Sequence, residues 1–340
     1  MNNLVAIGEC MVELARRDDG AFTMRVGGDT FNTSIYLARL GTPVQYMTAL
    51  GDDPYSRLIL DTAEAEGVSS QTVFIAPGRM PGLYLIETDQ GERAFYYWRE
   101  RAPVRELFQL DGADRLVATL ERAETAYLSG VTLSLFAADG LDRLRGALEA
   151  LRRHGGRVIL DSNYRPIGWQ HDRARAQATF ERFWGLADIA LPSFDDEQAL
   201  WGDATPEETA ERLRRFGAGE ICIKDGGRGA HVAGSDGITH VPASATAAPV
   251  DTQNPMTLAG GNIVGRHFGG ALVGNTAGLV STSNSGTDPA EDPVLSGLTD
   301  PGTATLPDGT SPRIHTITTG SVAIDAAIDS RVATDQLGEG

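Results

Sequence analysis

Residues 27–41 read GGDTFNTSIYLARLG: a glycine pair, polar groups at Asp29 and Asn32, then an apolar helix side of Ile35, Leu37, Ala38 and Leu40 closed by Gly41. Glycine lets a backbone approach a ligand or another segment closely, and a glycine just past a helical pattern is a common stop. Upstream, residues 4–8 form a short apolar run ending in glycine, the pattern of a buried strand. Downstream, residues 44–49 form another, followed by Gly51-Asp52-Asp53 and a helical pattern at 55–66. This alternation predicts an α/β fold, a doubly wound, mainly parallel sheet covered by helices.

The rhythm breaks at 83–99. Two strand-like runs, 83–88 and 94–99, flank Asp89-Gln90-Gly91-Glu92, a hairpin pattern. Phe95, Tyr96, Tyr97 and Trp98 are more aromatics than a hairpin needs at a surface. The expectation is a small β lid, partly packed on the core and partly covering a ligand. Strand-like segments then return at 125–129, 157–160, 189–192 and 220–223, separated by helical patterns at 141–153, 174–183 and 206–216. Thr205-Pro206-Glu207-Glu208 is a helix start, with a capping hydroxyl, proline at the first position and acids in the first turn.

The formal net charge is −17, which argues against nucleic acid or an anionic membrane as partner. No apolar run is long enough to span a bilayer. The chain starts without a basic leader, and its two cysteines, Cys10 and Cys222, lie in apolar contexts, so a reduced, cytoplasmic protein is expected. Of 29 basic residues only Lys224 is a lysine. It directly follows an apolar strand and opens Lys224-Asp225-Gly226-Gly227-Arg228-Gly229, a loop whose amides can cradle phosphate at the C-terminal end of a strand. Arg99 leaves the aromatic hairpin, and Arg165 follows a strand ending near Asp161. An arginine fork grips a carboxylate or phosphate bidentately, where lysine offers a point charge.

Residues 27–41, followed by Thr48-Ala49-Leu50-Gly51-Asp52-Asp53, resemble the N-terminal signature of the PfkB, ribokinase-like sugar kinases. Further words are similar to the 2-keto-3-deoxygluconate kinase branch: residues 7–14 (IGECMVEL), Pro81-Gly82-Leu83-Tyr84, Phe95-Tyr96-Tyr97-Trp98-Arg99, Asp161-Ser162-Asn163-Tyr164-Arg165-Pro166 and residues 195–202. The resemblance implies ATP-dependent phosphorylation of a sugar acid, with Mg²⁺. Gly27, Gly28, Asp29 and Asn32 would hold hydroxyls. Tyr84, Tyr97, Arg99 and Arg165 would hold the acid end, with Arg165 also near the transferred phosphoryl group. Lys224, Gly226, Gly229 and Asp251 would line the ATP site. Glu197 matches a family glutamate linked to magnesium, although Phe194 stands where that word usually has Asn. A homodimer meeting across the lids is expected by the same analogy. A fructokinase or another PfkB sugar kinase is the rival within the class, and a non-catalytic sugar-acid-binding protein is the rival outside it.

The resemblance covers residues 1–250, the kinase domain. From 251 to 340 the texture changes to one aromatic (Phe268), three arginines and ten acids, too apolar-poor to offset ordering entropy. This tail is expected to be partly disordered, with a strand at 314–318 and a short helix at 322–328. The family's second signature carries the catalytic aspartate, the base that accepts the sugar hydroxyl proton. Here Asp251-Thr252 is followed by Gln253-Asn254-Pro255, and in the weak echo at 257–262 Gly261 stands at the base position. A shifted reading frame after Thr252, a divergent tail using Asp251 as base, and a binder without catalysis each fit that departure.

Overall fold

The computed structural model describes residues 4–17, 19–89, 92–234 and 237–243, together with one parallel strand pair, Met256–Thr257 and Leu272–Val273. Asp251, Gly261 and the segments expected at 314–318 and 322–328 lie outside the described residues.

A nine-stranded sheet forms the centre. Its parallel strands are β1 (Leu4–Ile7), β4 (Val44–Leu50), β5 (Val73–Ile75), β8 (Thr125–Ser129), β9 (Arg157–Asp161), β10 (Ile189–Leu191) and β11 (Glu220–Lys224). Two antiparallel strands, β12 (Ala230–Gly234) and β13 (Gly237–Val241), extend one edge, giving the order β13-β12-β11-β10-β9-β8-β1-β4-β5.

Alternation along the strands sorts two apolar layers, as a pleat with period two requires. Val5, Ile7, Leu128, Val158, Leu160, Ile221 and Ile223 face one core, packed by α3 (Ala113–Leu120), α4 (Gly130–Leu135), α5 (Ala138–Arg153), α6 (Arg173–Trp184), α7 (Phe194–Trp201) and α8 (Pro206–Phe216). Leu4, Ala6, Tyr127, Ile159, Ile189 and Cys222 face the other, where α1 (Asp29–Arg39) and α2 (Pro54–Ala65) contribute Phe31, Leu37, Ile59 and Ala63. Helices on both faces are the doubly wound arrangement the sequence rhythm predicts. The α8 start is as read: the Thr205 hydroxyl accepts from Glu208 N at 3.3 Å. No described helix is long and apolar enough to cross a membrane.

The small sheet is larger than the expected hairpin. Its order is β3-β2-β6-β7, with β2 (Met11–Arg16), β3 (Phe22–Gly27), β6 (Leu83–Asp89) and β7 (Glu92–Trp98). β2 pairs in parallel with β6, some seventy positions away, through registers such as Val12↔Leu83. Local patterning does not reveal such a partner. The aromatics divide: Tyr84 is fully buried and tilted against Tyr97, and Phe95 stacks on Tyr97, whereas Tyr96 and Trp98 are exposed on the outer face.

Truncation in the larger core tests this layering. Leu160→Ala, at a fully packed central strand, should cost about 2–5 kcal/mol in urea unfolding. Ile167→Ala, at an exposed side chain, should stay within about 0.5 kcal/mol of the parent protein.

Candidate functional site

The chain leaves the small sheet at Gly27 and enters α1 at Asp29, so Gly28 sits where lid and core meet. A Cβ at Gly28 would lie 2.1 Å from the Glu9 carbonyl oxygen, backbone that cannot swing away. Glycine is required there by contact. The same packing fixes Asp29, whose Oδ2 accepts from Asn163 Nδ2 at 2.8 Å and from the Ser129 hydroxyl. Asn32 is half-buried one turn further on, its backbone N–H donating to Gly28 O at 2.8 Å.

Polar groups line up along the C-terminal ends of the strands. Lys224, ending β11, donates to Asp161 Oδ2 at 2.6 Å, across the end of β10. Asp161 Oδ1 accepts from Asn163 N at 3.0 Å, and Asn163 adopts a positive φ of 28°, turning its amide toward Asp29. One chain of contacts thus runs Lys224–Asp161–Asn163–Asp29–Ser129, joining β11, β9, α1 and β8.

The loop after β9 is clamped from α7. Asp196 Oδ2 accepts from Tyr164 N at 3.0 Å and Ser162 Oγ at 3.2 Å, while Oδ1 accepts from Arg165 Nη1 at 3.2 Å. Burial pushes the Asp196 carboxyl above its usual range, against the pull of Arg165. Arg165 remains partly exposed and also donates to Tyr164 O at 2.8 Å.

On the lid side Arg99 makes an ion pair with Glu9, just past β1, and its guanidinium lies 5.8 Å from the Tyr97 ring centroid. Burial raises the Glu9 carboxyl, with Arg99 and Arg105 opposing it. The Tyr97 phenol is likewise raised by burial and opposed first by Arg99 and then by Arg165, so both arginines act on one hydroxyl. Tyr84 donates from deeper in the lid to Glu13 Oε2, beneath Gly27. Arg99 thus packs against Tyr97, Arg165 acts on the same phenol through its charge, and Tyr84 is a buried support behind Tyr97.

The glycine loop has the shape of an anion cradle. Gly226 and Gly229 take φ of +53° and +109°. The amides of Asp225, Arg228 and Gly229 are consumed by bonds inside the loop, leaving those of Gly226 and Gly227 outside its internal bonding. Side chains added at Gly226 or Gly227 would meet open space. Asp225 is pulled up by burial but held below its usual range overall by Arg228, whose guanidinium it binds.

Glu197 does not fit the magnesium expectation. It is fully buried, accepts from Arg212 Nη2 at 2.7 Å, and shares that guanidinium with Asp203. The guanidinium stacks 4.5 Å from the Trp201 centroid, closing the carboxylate inside the α7–α8 layer. No group of three or more His, Cys, Asp or Glu among the described residues is disposed to hold a metal.

Sequence reading left Glu9, Asn163, Ser129 and Asp196 without roles, although all but Ser129 lay inside quoted words. A charged Glu9 directly behind a wholly apolar strand was the available signal. Asp196 and Ser129 carried none, because their partners are set by strand order.

An open α/β sheet whose strand ends face a small β lid bearing arginine and tyrosine defines a ribokinase-like fold with a small-molecule site. The chain belongs to the pfkB family of carbohydrate kinases, phosphotransferases acting on a sugar, which it matches over residues 1–253. It is 35% identical over 281 residues to 2-dehydro-3-deoxygluconokinase of Escherichia coli K12, covering 81% of this chain and 89% of that protein. The 2-dehydro-3-deoxygluconokinase of Dickeya dadantii is 40% identical over 230 residues, covering 66% of this chain and 73% of that one. The crystal structure of a PfkB protein from Polaromonas sp. JS666 superposes with a TM-score of 0.66 at 26% identity, over 72% of this chain and 84% of that one.

Burial raises the Glu197 carboxyl from 4.5 to about 7, outweighing Arg212. A raised carboxyl binds its proton more tightly in the folded state, so its contribution is intact below about pH 4.5 and is lost as pH rises through about 7. Urea unfolding from pH 4.5 to 8 should show stability falling by about 3 kcal/mol more in the parent than in Glu197→Gln. Parallel profiles would remove the assignment.

Proposed function

We propose that this chain transfers the γ-phosphoryl group of ATP to the terminal hydroxyl of 2-keto-3-deoxygluconate, giving the 6-phosphate. The observation that carries this reading is the Arg99 guanidinium set 5.8 Å from the Tyr97 ring centroid at the lid, with Arg165 held just past β9 by Asp196. Two arginines, one at the lid and one just past a central strand, suit a ligand with a carboxylate at one end and hydroxyls along its length. The names of the E. coli and Dickeya relatives support the same substrate.

In this reading Gly27, Gly28, Asp29 and Asn32 hold sugar hydroxyls at the start of α1. Tyr97 and Arg99 hold the acid end, with Tyr84 bracing Tyr97 from behind. Arg165 reaches both the acid end and the developing phosphoryl charge. Lys224, Gly226, Gly229 and Asp251 border the nucleotide. PfkB kinases use ATP with Mg²⁺, and the magnesium enters with the nucleotide, since phosphate oxygens and water are its usual ligands. As the new O–P bond forms, the hydroxyl must give its proton to a base. In the weak echo of the family's second signature at 257–262, Gly261 falls at the base position and offers none. That observation favours, as a second reading, a protein that binds the sugar acid without turnover. A cytoplasmic setting belongs to either reading, and Cys10 and Cys222 are buried free thiols.

Coupled measurement of ADP release with keto-deoxygluconate separates the two readings. For the ligand class, Arg99→Ala should weaken sugar-acid binding roughly 10–100-fold, the worth of a charged hydrogen bond, and leave fructose binding nearly unchanged. Equal losses would sink the carboxylate assignment.

The lid also supports a homodimer. Phe22, Met24, Tyr96 and Trp98 expose apolar surface on it, the kind of patch that marks an interface. Sedimentation velocity should show a dimer that Trp98→Glu shifts toward monomer; a monomeric parent protein ends this proposal.

A further inference from the structure

Arg105 lies just past the lid on the 3₁₀ turn Pro103–Glu106. Ala102 N donates to Arg99 O at 3.1 Å and Arg105 N to Ala102 O at 3.2 Å, so two successive turns carry the chain from one arginine to the other. Buried Ala102, Pro103 and Val104 fix those turns against the core. The Arg105 side chain is half-buried. Yet among the described residues it makes neither an ion pair nor a side-chain hydrogen bond. That is conspicuous in a chain with 46 acids to 29 bases, where Arg99, Arg165 and Arg212 each hold a carboxylate.

Its neighbours are also under-satisfied. Glu9 and Arg99 touch as an ion pair, but both Glu9 carboxylate oxygens, Arg99 Nε and Arg99 Nη2 are buried without a well-aligned hydrogen bond. Burial lowers the Arg105 guanidinium, Arg99 adds to that, and the charge of Glu9 opposes both. Arg175 and Glu100 are the remaining charges that act on Arg105. Glu9 thus holds one guanidinium, that of Arg99, while the half-buried guanidinium of Arg105 feels its charge without a partner of its own among the described residues. Desolvated charge without a partner is costly, and a ligand carboxylate would remove that cost while a neutral sugar would not.

We propose that Arg105 is a second carboxylate-binding guanidinium, which receives the acid end of the ligand together with Arg99 while Glu9 balances one of the two charges. This rests on the sugar-acid reading above. It makes Arg105 a specificity residue that senses charge, separate from the hydroxyl-reading groups at the start of α1.

The test is calorimetric titration of the full chain with 2-keto-3-deoxygluconate and with its uncharged methyl ester. The parent, Arg99→Ala, Arg105→Gln and Arg105→Lys proteins are compared, each checked for an unchanged thermal melt. The parent should prefer the acid. Arg105→Gln should weaken acid binding roughly 10–100-fold, leave ester binding within about twofold, and flatten the salt dependence of acid binding. Arg105→Lys should recover part of the loss. If Arg99→Ala loses the preference for acid while Arg105→Gln keeps it, this inference fails and the sugar-acid reading stands. Equal weakening of acid and ester by Arg105→Gln likewise assigns Arg105 a structural role only. A parent protein with no preference for the acid overturns both readings together.

Discussion

Contact between Gly28 and the Glu9 carbonyl is the constraint on which the rest of the site depends. Because no side chain stands between them, the end of β3, the start of α1 and the segment after β1 meet at one point. Glu9 then lies within reach of Arg99 from the lid, and Asp29 within reach of Ser129 and Asn163 at two strand ends. Lid and sheet are joined through backbone packing, and the charged groups follow the backbone. A methyl at Gly28 would separate groups that never touch residue 28.

The charges of the site are arranged against the field of the whole protein. At −17 the chain would repel an acid, so cations must be gathered locally and kept from the surrounding carboxylates. Two devices accomplish this. Asp196 spreads its oxygens over two backbone or hydroxyl donors as well as Arg165, which remains partly exposed. Glu9, by contrast, is buried and takes one guanidinium where two are close. Lys224 is different again, spent on Asp161 to tie strand ends together. Its place beside the glycine loop gives that loop a fixed edge.

Much of the fold was legible because its elements are local. The strand at 125–129 and the helix at 206–216 carry their own periodicity, caps and stops, and both formed where the sequence reading put them. The small sheet was half legible. The hairpin announced itself through two strand-like runs around a turn, but β2 and β3 did not, since β2 is held by a parallel partner about seventy residues away. Among site residues, Arg99 and Arg165 could be singled out by type and position after strands. Glu197 was assigned by its word alone, and the structure gives that carboxylate to Arg212 because α8 packs beside α7.

What the sequence determined by itself is the α/β layering, the family membership carried by its words over residues 1–253, and which residue types were available for an acidic ligand. Periodicity, capping and composition act over a few residues, so they survive without knowledge of the fold. Tertiary structure alone decided pairing: that Arg99 meets Glu9, that Lys224 reaches past β10 to Asp161, that Tyr84 is buried, and that Arg105 comes to rest without a partner among the described residues. Those outcomes depend on strand order and on burial. Coulomb attraction and desolvation are set by distances between segments far apart in the chain, which no local pattern encodes.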